Sequence, residues 1–169
     1  FATANGRAQV APPGLEVPDH VPNHPRVQPA PAIAARFPLA MISPPARNFL
    51  NSSFVNVPSL RAAEREPLLE IHPQDAAQRG IGDGAVVRVR SRVGEVLVAA
   101  EVTPDMMPGV VSLPHGFGHD RDGIRLTVAS QHAGASINDL VDDQRIDALT
   151  GTAVLNGTPV EVEAMATGP

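Results

Sequence analysis

Proline and glycine interrupt this chain so often that only short helices and strands can form. The 169 residues include 18 Pro and 14 Gly. Proline removes a backbone donor and glycine favours turns, so both residues oppose long regular elements. Seven of the prolines lie within residues 1–36. We expect this leader to be extended, with polyproline II character, as either a disordered tail or a strap along a larger protein.

Beyond residue 36 the pattern is that of a β-rich domain. Apolar or alternating stretches predict strands at residues 37–42, 68–71, 85–91, 95–102, 110–113 and 160–163. The third and fourth of these form a β-hairpin around a tight reversal at Val93-Gly94. Residues 72–80 carry the Pro, Asp, Arg and Gly marks of a short helix, and residues 138–146 are a short helix or turn. Many short strands joined by Gly- and Pro-containing turns indicate a β-dominated barrel.

The composition excludes several classes of protein. Hydrophobic residues make up 43% but aromatic residues only 3%, so the core must be aliphatic. The absence of Cys excludes disulfides, thiolate metal sites and a catalytic thiol. A net charge of −5 without any Lys argues against nucleic-acid binding. No apolar run approaches the roughly 20 residues needed for membrane insertion.

The first residue, Phe1, is not Met, and no charged-then-apolar leader precedes it, so we expect a processed or excised piece. No targeting segment marks its compartment, and the expected location is the cytoplasm.

Two pairs of histidines have a spacing that could suit a metal, but their surroundings do not. His20 and His24 lie among prolines, and His115 and His119 are separated by Gly116 and Gly118. Neither pair can form the helical turn that would align both rings on one ion. The loop 114–123 is therefore either a plain surface loop or one whose glycines let backbone approach a flat ligand.

Two polar segments are candidates for ligand binding. Amides and hydroxyls at Asn48, Asn51, Ser52 and Ser53 suit the edge of a pterin or guanine and the oxygens of a diphosphate. The neighbouring Phe49, Leu50 and Phe54 would anchor this loop to the core. The alternative is ordinary turn chemistry.

A second polar set contains Gln131, His132 and Asn138 around Gly134. Asp142, Asp143 and Asp147 form what we expect to be a solvated acidic stretch, with cation binding as the less favoured alternative. No nucleophile elbow or phosphate loop is present.

A series of motifs, taken in order, carries a family resemblance. They are Phe37-Pro-Leu39, Asn48-Phe-Leu-Asn-Ser-Ser-Phe54, Glu70-Ile-His-Pro-Gln-Asp-Ala76, Arg79-Gly-Ile-Gly-Asp-Gly84, the hairpin ending at Gly94, Pro108-Gly-Val-Val111, His115-Gly-Phe-Gly118, Asn138-Asp-Leu140 and Asn156-Gly-Thr-Pro-Val-Glu-Val162. With them, residues 37–163 resemble the C-terminal molybdopterin-dinucleotide-binding domain of the dimethyl sulfoxide reductase family, which includes formate dehydrogenases and nitrate reductases.

The resemblance implies a mainly β, aspartate-decarboxylase-like double-psi β-barrel with short helices over residues 37–165, after the extended linker of residues 1–36. It implies that the domain binds molybdopterin guanine dinucleotide and closes the cofactor cleft of a molybdenum or tungsten oxidoreductase. The metal ligand would come from upstream catalytic domains, which would be the partners of this domain. The chain alone would be inactive.

Carried over by position, the implied cofactor-binding residues are Ser43, Arg47, Asn51, Ser52, Ser53, His115, Gly116, Asn138 and Asn156. The resemblance assigns no catalytic or metal-binding residue to this domain. It requires the segments that carry Asn51, His115 and Asn138 to converge on one cleft.

Two other functions suit the same barrel. An aspartate α-decarboxylase needs a self-cleaving Gly-Ser bond, and none of the 14 glycines precedes Ser. A non-catalytic double-psi barrel that binds a protein partner would expose a large apolar or charged patch and would lack a polar cleft.

Overall fold

The computed structural model describes residues 2–8, 31–147 and 150–165, and within them six strands close a barrel. The strands are β1 (Leu39–Ile42), β2 (Leu68–Ile71), β3 (Val86–Arg90), β4 (Glu95–Val102), β5 (Val110–Ser112) and β6 (Thr158–Ala164). Each lies within two residues of a stretch that the sequence predicts. Around the barrel their order is β1-β5-β2-β4-β3-β6.

Two parallel pairs distinguish this barrel from a simple meander. Strands β1 and β5 run parallel, as do β2 and β4, while the other neighbours are antiparallel. In the register of the first pair, Ile42 lies beside Ser112. This closed, mixed, six-stranded arrangement is the double-psi β-barrel that the resemblance implies, and the expectation of a mainly β fold with short helices is confirmed.

The core is aliphatic, as the scarcity of aromatic residues predicts. Alternation along β3 turns Val87 and Val89 inward, where both are fully buried. Arg88 and Arg90 face outward, and Arg90 pairs with Glu163 of β6 at 2.6 Å. The largest fully buried side chains of the core are Leu39, Met41, Leu69, Ile71, Val87, Val89, Val111, Leu113, Leu140, Val160 and Val162.

Three six-residue helices, α1 (Pro31–Arg36), α2 (Pro58–Ala63) and α3 (Pro73–Gln78), occur in the described segments, and each begins with proline. Proline is favourable at that position because the first amide of a helix has no intrahelical partner. At the start of α3, the His72 ring accepts a hydrogen bond from the Gln74 amide at 3.1 Å. None of the helices in these segments is long and apolar enough to cross a membrane.

The expectation of extended backbone up to residue 36 is wrong for α1. After Pro31 the segment contains no further proline and is rich in alanine, a strong helix former. The helix packs against β6, and the Phe37 amide continues it by donating to the Ile33 carbonyl at 2.8 Å. Residues 9–30 lie outside the described residues, including His20 and His24.

A buried ionic cluster attaches α3 to the barrel. The Asp75 carboxylate accepts a hydrogen bond from the Gly109 amide, immediately before β5, at 2.6 Å. Arg79 donates to the Asp75 carbonyl at 3.1 Å and to the Glu161 carboxylate of β6 at 2.7 Å. Because these groups are largely removed from water, removing one partner leaves the others poorly solvated.

The segment that carries Asn138 is attached to the β3–β4 turn. A 3₁₀ turn spans Ile137–Asp139, and the Asp139 carbonyl approaches Gly94 so closely that a Cβ there would lie 2.4 Å away. Arg92 of the same turn forms an ion pair with Asp142. The hydrogen bond from Arg92, helped by the Gln144 amide, lowers the pKa of Asp142 below its ordinary value. Asp142 is therefore an anchoring residue and not the solvated carboxylate that we expected.

Replacing Asp75 with Ala should reduce the free energy of unfolding by about 2 kcal/mol, because the buried Gly109 amide loses a charged acceptor. Urea denaturation of the two proteins measures the difference. The matched control is Asp105→Ala, whose side chain is exposed, and which should change stability by less than about 0.5 kcal/mol. Equal effects of the two substitutions would contradict a structural role for Asp75.

Replacing Arg92 with Ala should raise the pKa of Asp142 towards its ordinary value. A lowered carboxyl pKa stabilises the fold above the ordinary carboxyl range, and this contribution disappears as pH falls through the lowered value. The variant should therefore lose less than about 1 kcal/mol at neutral pH and nothing at strongly acidic pH. Carboxyl NMR titration and denaturation across pH test this, with the exposed Arg7→Ala as control.

Candidate functional site

Two loops leave the same end of the barrel because β1 and β5 are parallel neighbours. Their pairing continues past the strands, since the Leu113 amide donates to the Ile42 carbonyl at 3.0 Å and the His115 amide to the Pro44 carbonyl at 2.9 Å. The Ala46 amide then donates to the His115 carbonyl at 3.1 Å. Residues separated by about 70 positions in sequence are thereby held side by side.

The first loop presents Asn51 and Ser52 at the tip of a tight turn. Leu50 and Ser53 exchange both backbone hydrogen bonds, at 3.2 and 2.8 Å. Asn51 has a φ of 53°, in the left-handed region that Asn tolerates better than most residues with a side chain. The turn thus directs two polar residues away from the barrel.

His115 connects this turn to the end of β1. Its Nδ1 lies 3.0 Å from the Ser43 carbonyl oxygen, and its Nε2 lies 3.0 Å from Oδ1 of Asn51. A ring nitrogen that faces a carbonyl must carry the proton, so Nδ1 donates to Ser43. Nε2 then either donates as part of an imidazolium or, in the neutral ring, accepts from an Asn51 amide turned by 180°. In both forms His115 orients the Asn51 side chain.

Gly116 is required by the contact between the two loops. A Cβ on this residue would lie 2.6 Å from the Asn51 carbonyl oxygen, and its φ is 111°. Any side chain would therefore push the Asn51 turn away from His115.

The third segment joins the cleft through a second close contact. A Cβ on Gly118 would lie 2.3 Å from Cβ of Ser136, one residue before the 3₁₀ turn that carries Asn138. The Gly118 amide also donates to the Ala133 carbonyl. Asn138 is consequently fixed near the loop that follows β5, although it lies 23 positions beyond His115.

These three segments enclose a cleft of about 580 Å³. Of the nine residues implied by the family resemblance, those that line it are Asn51, Ser52, His115, Gly116 and Asn138. The convergence that the sequence reasoning required is thus present in the structure. The side-chain amides of Asn51 and Asn138 and the hydroxyl of Ser52 supply both donors and acceptors to the same space.

The other four implied residues do not line this cleft. Ser43 is buried, and its amide donates to Oδ1 of Asn156 at 2.8 Å. Because the Ser43 carbonyl accepts a hydrogen bond from His115, these two residues support the His115 ring without lining the cleft. Arg47 lines a separate cleft of about 550 Å³ beside Glu64 and Glu70.

Ser53 pairs with Leu50 through the backbone. The second polar set, which contains His132 and Asn138, does not come together in the cleft. The His132 ring lies outside it, 3.4 Å from Glu66.

A small apolar cluster holds the two loops against each other. The rings of Phe49 and Phe117 pack with centroids 5.7 Å apart, and Phe117 is only 7% exposed, so this ring packs inside the protein. The expected anchoring by Leu50 and Phe54 is wrong, since these side chains are 63% and 53% exposed. Alternation of polar and apolar residues could not distinguish Phe49 from its neighbours, because the tight turn at Asn51 reverses the chain between them.

Several cleft residues lie outside the set that the family resemblance implies. His119, Arg121, Ser136 and Asp139 also line the cleft, and Arg121 forms an ion pair with Asp139. Arg121 lies among aspartates in a segment that reads as solvated, and its partner is 18 residues away. No group of His, Asp or Glu in the described part of the chain is suited to holding a metal ion.

Comparison with known families places most of the chain in one of them. Residues 39–159 match the family described as "Molydopterin dinucleotide binding domain". The match covers well over half of the chain, which therefore belongs to this family. The cofactor class that the sequence resemblance implies, molybdopterin guanine dinucleotide, is confirmed as that of the family.

The similar proteins are much longer than this chain. The dimethyl sulfoxide reductase DmsA of Escherichia coli is 41% identical over 91 residues, covering 54% of this chain and 11% of DmsA. A trimethylamine-N-oxide reductase of Haemophilus influenzae is 40% identical over 92 residues, covering 52% of this chain and 11% of the reductase. The chain thus spans about a tenth of these relatives.

Acetylene hydratase from Pelobacter acetylenicus has the same fold, with a TM-score of 0.70 at 20% identity, covering 87% of this chain and 21% of the hydratase.

The cleft residues fit a pterin dinucleotide. Fused heterocycles present alternating N–H donors and ring acceptors at their edges, and the side-chain amides of Asn51 and Asn138 offer both kinds of group. Gly116 provides backbone without a side chain beside them.

Replacing Gly116 with Ala should destabilise the protein and detach Asn51 from His115, because the new Cβ meets backbone. Gly123→Ala is the control, since Gly123 also has positive φ but has open space around it. The Gly116 variant should lose about 1–3 kcal/mol more than the control. Thermal denaturation measures the loss, and ¹⁵N NMR of the His115 ring reports the detachment. Equal losses with an unchanged ring signal would contradict the contact.

Proposed function

We propose that this chain is the C-terminal domain of a molybdenum or tungsten oxidoreductase, where it binds molybdopterin guanine dinucleotide and closes the cofactor cleft. The observation that supports this best is the convergence of Asn51, His115 and Asn138 on one cleft in a member of the dinucleotide-binding family. We propose that the upstream domains of the same enzyme are its partners and supply the metal ligand. On its own the domain would be inactive.

Each cleft residue has a role in this proposal. Asn51, oriented by His115, and Asn138 hydrogen-bond the edges of the heterocycles, while Ser52 provides a hydroxyl at the turn tip. Gly116 allows close approach of the ligand to backbone. Contact roles for Ser43, Arg47, Ser53 and Asn156 rest on the family resemblance alone. When bound, the cofactor supplies the redox chemistry, which no side chain here can provide.

The organisation of the chain belongs to the same proposal. Residues 37–165 would be the binding domain, and residues 1–36 the strap that leads to it from the catalytic domains. The enzyme would be cytoplasmic. The polar cleft favours this function over a barrel that binds only a protein partner, because protein docking does not need converging amides and ring nitrogens.

In the full-length enzyme, the triple substitution of Asn51, His115 and Asn138 by Ala should reduce cofactor affinity about 30-fold. The lost hydrogen bonds of Asn51 and Asn138, about 1 kcal/mol each, account for this. The affinity is measured by titrating the apoenzyme with molybdopterin guanine dinucleotide and determining how much metal and nucleotide the protein then contains. The control is the triple Ala variant of the exposed Gln74, Gln78 and Gln131. Unchanged cofactor loading in the cleft variant would refute the proposed function.

A further inference from the structure

We infer that Arg121 binds the diphosphate of the dinucleotide and that Asp139 holds its guanidinium in place until the phosphates displace the carboxylate. This inference rests on the proposed function and adds to it a residue for the charged part of the ligand. Neither residue belongs to the set that the family resemblance implies.

The position of this ion pair is the first argument. Arg121 and Asp139 both line the 580 Å³ cleft, and both also line an adjoining cleft of about 330 Å³. Their side chains are 64% and 36% exposed. The pair therefore stands in solvent where the two clefts meet, within reach of a ligand that enters either of them.

The charges around the clefts decide which side the phosphates occupy. Among the described residues that line the larger cleft, Arg121 is the only Arg and Asp139 the only carboxylate, and the other described lining residues are neutral apart from the rings of His115 and His119. The smaller cleft also contains Glu95 and Asp120. Phosphate is repelled by those carboxylates, so the diphosphate belongs in the larger cleft, with Arg121 as its counter-charge.

The two partners differ in how firmly they are held. Asp139 is fixed by its backbone, because its carbonyl packs on Gly94 and its amide donates to Ser136 at 3.2 Å. Arg121 lies at the start of a loop turn closed by the Ile124 amide, which donates to the Arg121 carbonyl at 3.1 Å. Its long side chain can swing towards a ligand while the carboxylate stays behind.

Exchange of one anion for another should be easy here. An exposed ion pair contributes little because water and salt screen it. A diphosphate carries more charge than a carboxylate and can accept two parallel hydrogen bonds from a guanidinium. Asp139 then positions Arg121 before the ligand binds and competes with the ligand for it. Removing the charge of Arg121 should therefore weaken binding, whereas removing the charge of Asp139 should strengthen it.

Opposite effects make the test specific. Guanosine diphosphate, pyrophosphate and guanosine are titrated separately into the cofactor-free full-length protein by calorimetry at low salt. Arg121→Gln should weaken diphosphate binding at least tenfold and remove most of its salt dependence, and Asp139→Asn should strengthen it about threefold or more. Guanosine binding should be the same in all variants. The controls, Arg125→Gln and Asp122→Asn, change exposed charges of the same loop outside the clefts.

Two results would overturn the inference. Unchanged diphosphate binding in Arg121→Gln would remove the assigned role, and equal weakening by both substitutions would reduce the pair to a structural contact. Arg121→Lys keeps the charge without the planar fork and should bind with intermediate affinity, which separates a charge effect from misfolding. If the Asn51, His115 and Asn138 variant loses cofactor while Arg121→Gln does not, this inference fails and the proposed function stands.

Discussion

The parallel pairing of β1 with β5 is the constraint on which the candidate site depends. Antiparallel neighbours would send their following loops to opposite ends of the barrel, whereas this pair places residues 43–57 and 113–128 at one end. The hydrogen bonds between these two segments continue past the strands as far as Ala46 and His115. A cleft therefore forms as a direct consequence of how the barrel closes.

Close backbone contacts make that cleft specific. Gly116 and Gly118 each approach a neighbouring segment more closely than a side chain would permit, and His115 links both the strand end and the Asn51 turn. Asn51 adopts a left-handed backbone conformation at the point where its side chain meets this ring. Local strain at such a position is consistent with a site that is formed before its ligand arrives.

Local patterns predicted much of the fold and part of the site. Alternation in β3 and β4, and the Pro and Gly that bound α3, are properties of neighbouring residues, so they could be recognised directly. The leader shows the limit of such reasoning, because a high proline count obscured an alanine-rich helix at α1. Leu50 and Phe54 show it again, since their exposure follows from one turn and not from their hydrophobicity.

The sequence by itself determined an aliphatic, short-stranded β-barrel, and its motifs pointed to Asn51, His115 and Asn138 as members of one site. Only the tertiary structure decided that Ser43 and Asn156 support the cleft from behind, and that Arg121 faces Asp139 within it. The physical reason is that side-chain direction and charge pairing depend on which segments the barrel closure brings together. Those segments are far apart along the chain, and no local spacing records their contact.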